Sequence, residues 1–225
     1  MTTVETRWWW IRHAPVPDGG HIYGQRDLDC DCSDAEVFAA LASELPHDAV
    51  WVTSHLARTH QTAAAIRTAM GERAPIDQPS ALPEFAEQHL GDWQGLVRKE
   101  FFAARRAQAR PGFGFGPAHE RAPNGESFQD LVARVAPTVE RLSAAHRGRD
   151  IVAVTHGGTI RAALTQALRL DADVALAFVI DNCSITRIDH LGDGEPERAW
   201  RVGAVNHRPW SRGGIAIARH GAAAV

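Results

Sequence analysis

The sequence predicts an α/β fold, a three-layer sandwich whose mainly parallel central sheet carries helices on both faces. Two observations lead there. Three short runs of bulky apolar residues each end abruptly in polar groups, and helical patterns separate the runs. Strands that alternate with helices form parallel sheets buried on both faces, and such sheets bind ligands beyond the C-terminal ends of their strands.

The first run, Trp8 to Ile11, leads straight into Arg12 and His13, as a buried strand does when it delivers polar groups at its end. Val50 to Thr53 leads into Ser54-His55-Leu56-Ala57-Arg58, and Ile151 to Thr155 leads into His156-Gly157-Gly158. Thr59 to Met70 and Thr159 to Leu170 follow with apolar residues at helical spacing. The turn Pro123-Asn124-Gly125-Glu126-Ser127 precedes a long helix, Phe128 to His146, and Cys183 to Asp189 alternates like a late strand. Between Ala107 and Asn124 the chain reads AQARPGFGFGPAHERAPN, without periodicity and rich in Gly, Pro and Arg. It is read as a loop at 107–126 capping a site within a single domain, 1–225; an excursion without a role is the equal alternative.

The 225 residues, 44% hydrophobic and 23% charged, suit one globular domain with a substantial core. No segment approaches the roughly 18 apolar residues of a membrane span, so no membrane partner is expected. Glu5 and Arg7 beside a short apolar run are not the layout of a secretory signal, and three cysteines, an odd number, fit a reducing compartment. A cytoplasmic location is expected. A net charge of -3 offers nucleic acid no general attraction, so an anion site must be local. Cys30-Asp31-Cys32 lacks the paired spacing of a zinc site, and neither a metal nor another cofactor is expected. A homodimer stays open.

The strand ends collect groups suited to phosphoryl transfer. Histidine is a competent nucleophile near neutral pH, and phosphorylating a ring nitrogen divides hydrolysis into two easier steps. His13 fits that role. Arg12 and Arg58 would depress its pKa, keep a lone pair available, and match phosphate oxygens in pairs with their planar forks. His156 adds a donor, the Gly157-Gly158 pair admits close backbone approach, and amides opening the next helix add positive potential. The departing oxygen needs a proton from a carboxylic acid of raised pKa. Glu87 and Glu84 are both candidates, and composition does not choose between them.

In this order IRHA, TSHLARTHQTA, EQHLGDWQG, NGESF and VTHGGTIRA resemble the histidine phosphatase (phosphoglycerate mutase-like) superfamily over most of the chain. The resemblance implies a phosphohistidine at His13, phosphate contacts from Arg12, Arg58 and His156, and a proton donor at Glu87 rather than Glu84. Ala14 stands where the family usually has Gly; its carbonyl is still available to orient the histidine ring if φ stays negative. The usual Glu-Thr and Asn after the first motif are replaced by PVPDGGHIYGQRDLD, similar to α-ribazole phosphatase-like members, with Tyr23, Gly24 and Asp27 in a comparable setting. Tyr23, Gln25 and Arg26 are candidates to touch a substrate beyond its phosphate, against an equal reading as a structural turn. GDWQG resembles the phosphatase branch, so hydrolysis of a small phosphate ester is favoured over isomerisation. A mutase and a noncatalytic phosphoryl-binding module are the rivals.

Several features carry plainer readings. Arg219-His220-Gly221 is the family's tripeptide verbatim, yet only four residues follow it, too few to complete a pocket. Trp8, Trp9 and Trp10 read as core, and the cysteines as packing. Arg105, Arg106 and Arg110 fit a solvated face better than a funnel for anions.

Overall fold

The computed structural model describes residues 4–107, 115–192 and 199–211. The strands are β1 (Thr6–Arg12), β2 (Ala49–Thr53), β3 (Ser80–Ala81), β4 (Asp150–Thr155), β5 (Ile185–His190) and β6 (Trp200–His207). The helices are α1 (Ala35–Glu44), α2 (Ala57–Met70), α3 (Arg98–Ala107), α4 (Phe128–Ala145), α5 (Gly157–Leu168) and α6 (Ala172–Ala175). The six strands form one sheet in the order β3-β2-β4-β1-β5-β6. β1 to β4 run parallel, while β5 opposes both β1 and β6. The expected three-layer α/β sandwich is what forms.

The pleat explains the run of tryptophans. Side chains of a strand alternate between faces, so Trp8 and Trp10 pack on one side with Phe128, Leu131 and Val135 of α4 and Ile160 and Leu164 of α5. Trp9 and Ile11 pack on the other with Phe38 and Leu41 of α1 and Ile66 of α2. All of these side chains are buried, and each stabilises the fold by about 1.5–3 kcal/mol relative to exposure. Two of the polar handles are met, Trp8 Nε1 donating to Ser143 Oγ at 2.9 Å and Trp9 Nε1 to Asp150 Oδ1 at 2.9 Å, while Trp10 Nε1 is buried without a partner among the described residues.

β1 and β4 are neighbours, but α1, which follows β1, lies on the opposite face from α5, which follows β4. The chain therefore leaves the two strand ends in opposite directions, and a crevice opens between Arg12-His13 and His156-Gly157. The start of α4 is held by short-range chemistry. Ser127 Oγ accepts from the Asp130 amide at 3.1 Å while Asp130 Oδ2 accepts from the Ser127 amide at 2.8 Å, a reciprocal capping box that begins α4 where the turn predicts.

The late strand begins at Ile185 rather than Cys183. Cys183 has φ 62°, a left-handed conformation that no strand accepts, and its amide donates to the Arg12 carbonyl at 2.8 Å. Helices α2 and α5 begin two residues before their expected starts, and α1, α3, α6, β3 and β6 add to the elements read from the sequence. Among the described residues no helix is long and apolar enough to cross a membrane.

Candidate active site

His13 stands one residue beyond β1, its amide donating to the Thr155 carbonyl at 2.9 Å. Its Nδ1 lies 2.7 Å from the Ala14 carbonyl oxygen. A carbonyl only accepts, so the hydrogen-bond pattern assigns the proton to Nδ1 and leaves the lone pair on Nε2 of the neutral ring. Ala14 lies outside the left-handed region, its amide is held by Thr62 Oγ1 at 2.8 Å, and Asn182 Nδ2 donates to the His13 carbonyl at 2.7 Å. Only 1% of His13 is exposed. Burial, and then the charges of Arg58 and Arg12, hold its pKa well below the ordinary 6.5 against the opposing Ala14 bond.

Arg58, in the first turn of α2, is fully buried. Its Nη2 donates to the Gly24 carbonyl at 2.7 Å and its Nη1 to the Arg26 carbonyl at 2.9 Å, with Cζ 5.1 Å from the centre of the Tyr23 ring. These contacts fix the fork while burial lowers its pKa. Arg12 Nη1 donates to the Ile180 carbonyl at 2.6 Å. His156 caps α5, its ring centre 5.2 Å from that of His13 and its Nε2 2.7 Å from Ser54 Oγ. Burial first, then His13 and Arg58, depress its pKa well below 6.5. Arg12 Nε, Arg58 Nε and His156 Nδ1 are buried without a hydrogen-bond partner among the described residues. Such atoms cost about 1–3 kcal/mol each, and an anion between the strand ends would satisfy donors of this kind.

A cavity of about 410 Å³ opens in front of these groups, lined by Arg12, Tyr23, Glu87, Gly157, Gly158 and Asn182 among others. His13, Arg58 and His156 are buried and are not among the lining residues. The Glu87 carboxylate accepts from the Gly158 amide, at 3.1 Å on Oε1 and 3.3 Å on Oε2, and from the Gln88 amide at 2.9 Å. Glu84 is exposed and absent from the cavity wall, so geometry separates the two candidates. A Cβ on Gly158 would meet Glu87 Oε1 and Leu131 Cδ2, so a larger residue there would displace the carboxylate from its present position.

Gln25 is placed differently from Tyr23. Its side-chain amide donates to the Glu87 carbonyl at 2.8 Å, and Gln25 is not part of the cavity wall. Arg26 is exposed and contributes its carbonyl to Arg58. In the expected cap loop, Phe115, Gly116, Pro117 and Glu120 line the cavity, while residues 108–114 lie outside the described residues. Arg105 pairs with Glu120 and lies over Trp93 and Phe101, Arg106 is exposed, and Arg110 lies outside the described residues. Arg219-His220-Gly221 lies outside them as well. Cys30 and Cys32 are free thiols packed beside the α1 and α2 layer. Asn182 and the Ser54 hydroxyl escaped the sequence reading. Ser54 stands inside a quoted motif, whereas no local pattern marks Asn182.

A buried neutral imidazole between two guanidiniums, at the switch point of a phosphoglycerate mutase-like sheet, defines a class of enzymes that handle phosphoryl groups. The chain belongs to the histidine phosphatase superfamily, whose branch 1 profile, "Histidine phosphatase superfamily (branch 1)", matches residues 9–203, and its relatives include proteins named as phosphatases. It is 35% identical over 172 residues to glucosyl-3-phosphoglycerate phosphatase of Mycolicibacterium vanbaalenii, covering 70% of this chain and 72% of the relative. It is 30% identical over 164 residues to phosphoglycerate mutase-like protein 4 of Arabidopsis thaliana, covering 70% and 69%. The native structure of a mycobacterial glucosyl-3-phosphoglycerate phosphatase superposes with a TM-score of 0.71 at 27% identity, covering 90% of this chain and 99% of that one.

Proposed function

We propose that the protein hydrolyses the phosphomonoester of a small phosphorylated metabolite through a phosphohistidine at His13, with Glu87 as general acid and then base. The observation that carries this reading is the tautomer: Nδ1 is committed to the Ala14 carbonyl, so Nε2 of a ring kept neutral is the nucleophilic atom. Nε2 donates its pair to phosphorus, the P–O ester bond breaks, and the departing oxygen takes the proton of the Glu87 carboxyl group. The Glu87 carboxylate then takes a proton from water, the water oxygen attacks phosphorus, and the P–N bond breaks with its electron pair returning to Nε2. Inorganic phosphate leaves. Arg12, Arg58 and His156 hold the phosphoryl oxygens throughout, the main demand of such a transfer. Gly157 opens α5 beside them with helix-terminal amides, and Tyr23 shapes the wall.

Acid quench during turnover of a phosphorylated substrate is expected to trap an acid-labile phosphoprotein, and its absence across a broad substrate panel would remove the phosphohistidine. A phosphoglycerate offered to the protein should release free phosphate. Isomer without free phosphate would assign the mutase reaction instead.

The depressed histidines set a pH dependence. Protonation of His13 removes the nucleophile only well below pH 6.5, so the acid limb of kcat/KM, corrected for the substrate's own ionisation, is expected below that value. Unfolded chains protonate these histidines first. The unfolded state then binds more protons, and stability is expected to fall as pH drops through 6.5, read as a lower urea midpoint. An acid limb at or above 6.5 would contradict a buried neutral His13.

A further inference from the structure

We propose that Arg134 and Glu126 are positioning residues for the proton donor, an ion pair that clamps the backbone of residues 84–89 so that the Glu87 carboxyl group faces the departing oxygen. This rests on the reading of Glu87 as general acid. The segment starts within one short 3-10 turn, Pro83–Phe85, and ends before another, Gly91–Trp93, while residues 86–89 between them form no strand or helix. Its carbonyls must find donors elsewhere.

Arg134 supplies three of them, beside Thr159 Oγ1 on the Phe85 and Ala86 carbonyls and Gln25 Nε2 on the Glu87 carbonyl. Its Nη1 donates to the Glu84 carbonyl at 2.6 Å, and its Nη2 reaches the Ala86 and Glu87 carbonyls, each at 2.9 Å. The same guanidinium grips Glu126 with both ends of its fork, Nη2 to Oε1 at 2.7 Å and Nε to Oε2 at 3.1 Å. Glu126 in turn accepts from the His89 amide at 2.8 Å, while its own amide donates to the His89 carbonyl at 2.8 Å and its carbonyl accepts from Gln88 Nε2 at 3.0 Å. The pair thus ties both ends of the segment, with Glu87 between them.

The clamp is anchored on a rigid element. Arg134 belongs to α4, whose Leu131 and Val135 are wholly buried against the sheet, so the position of Glu87 is referred to the core rather than to a loop. On the other side the Gly158 amide at the start of α5 receives the carboxylate. The planar fork explains the residue type, because an ammonium group could not serve several carbonyls and a carboxylate in one plane.

The test uses leaving-group chemistry. kcat/KM reports the steps up to release of the alcohol, and an activated p-nitrophenyl ester needs little protonation whereas an alkyl phosphate depends on it. Arg134→Gln is expected to lower kcat/KM for the alkyl phosphate roughly 10–100-fold, the scale of an ångström-sized misplacement, and to leave the p-nitrophenyl ester within about 3-fold. Glu126→Gln keeps an acceptor for the His89 amide and should show the same selectivity more weakly, which covers the case in which the arginine variant fails to fold. An equal loss on both substrates, or no loss on either, would overturn the clamp. Glu87→Gln is measured beside them and should show the selectivity at about 10²–10⁴-fold. If it shows none, Glu87 is not the acid and the clamp falls with it. If it alone shows selectivity, only the clamp falls.

Discussion

Replacing His13 by alanine is expected to lower kcat/KM by at least about 1000-fold for every phosphomonoester, at equal folded concentration, and to eliminate the trapped phosphoprotein. The size follows from the absence of a stand-in. His156 is a close neighbour, but its Nε2 is engaged with Ser54 Oγ at 2.7 Å and its Nδ1 is read as a donor to the phosphoryl group, so it offers no equivalent lone pair. The two arginines and the helix start remain in the variant, so phosphate esters should still bind while turnover is lost. His13→Ala protein that released phosphate from an activated aryl phosphate as fast as wild type would end the mechanism.

Arg58→Gln is expected to cost about 10²–10³ in kcat/KM, comparable to losing one donor that is preorganised towards transition-state charge. Stability should fall as well. The guanidinium serves the Gly24 and Arg26 carbonyls and lies over Tyr23, and each acceptor left unpaired in a buried place costs about 1–3 kcal/mol. A fully buried cation, its pKa lowered by desolvation, is held at an energetic disadvantage that a bound dianion relieves. Inorganic phosphate should therefore raise the melting temperature of the wild-type protein and do so much less in the variant. Arg58→Lys is a sharper control, since a point charge cannot reproduce the fork. Near-normal kcat/KM in the lysine variant would refute a geometric role for Arg58.

What was legible in the sequence is what strands announce locally. Trp8 to Ile11, Trp51 to Thr53 and Ile151 to Thr155 are buried on both sides, so their apolar runs stand out, and the polar residues directly after them fall at the sheet's ligand-binding edge. His13, His156, Arg12 and Arg58 were therefore readable as one group. α3 was not, because none of its side chains is wholly buried and its aromatic residues, Phe101 and Phe102, pack against Trp93 and Phe115 of neighbouring turns rather than against the sheet. β6 was not, because it is a half-exposed edge strand interrupted by Gly203. Gln25, with a side chain that supports the Glu87 backbone, shows the other limit. That contact spans 62 positions, as the Asn182 contact to His13 spans 169, and no local pattern encodes such a distance.

The alternation of β1 also makes the molecule its own optical reporter. Trp8 and Trp10 stack with ring centres 4.8 Å apart and an angle of 11° between planes, a geometry in which two indole transitions couple and give the near-ultraviolet dichroism a signed shape. Trp9 lies on the far side of the same strand, under the guanidinium of Arg187 at 4.3 Å. Loosening of the α4 and α5 layer would weaken the coupled band, while loosening of the α1 and α2 layer alone would leave the stacked pair in place. The band thus reports on one side of the sheet and not on the other.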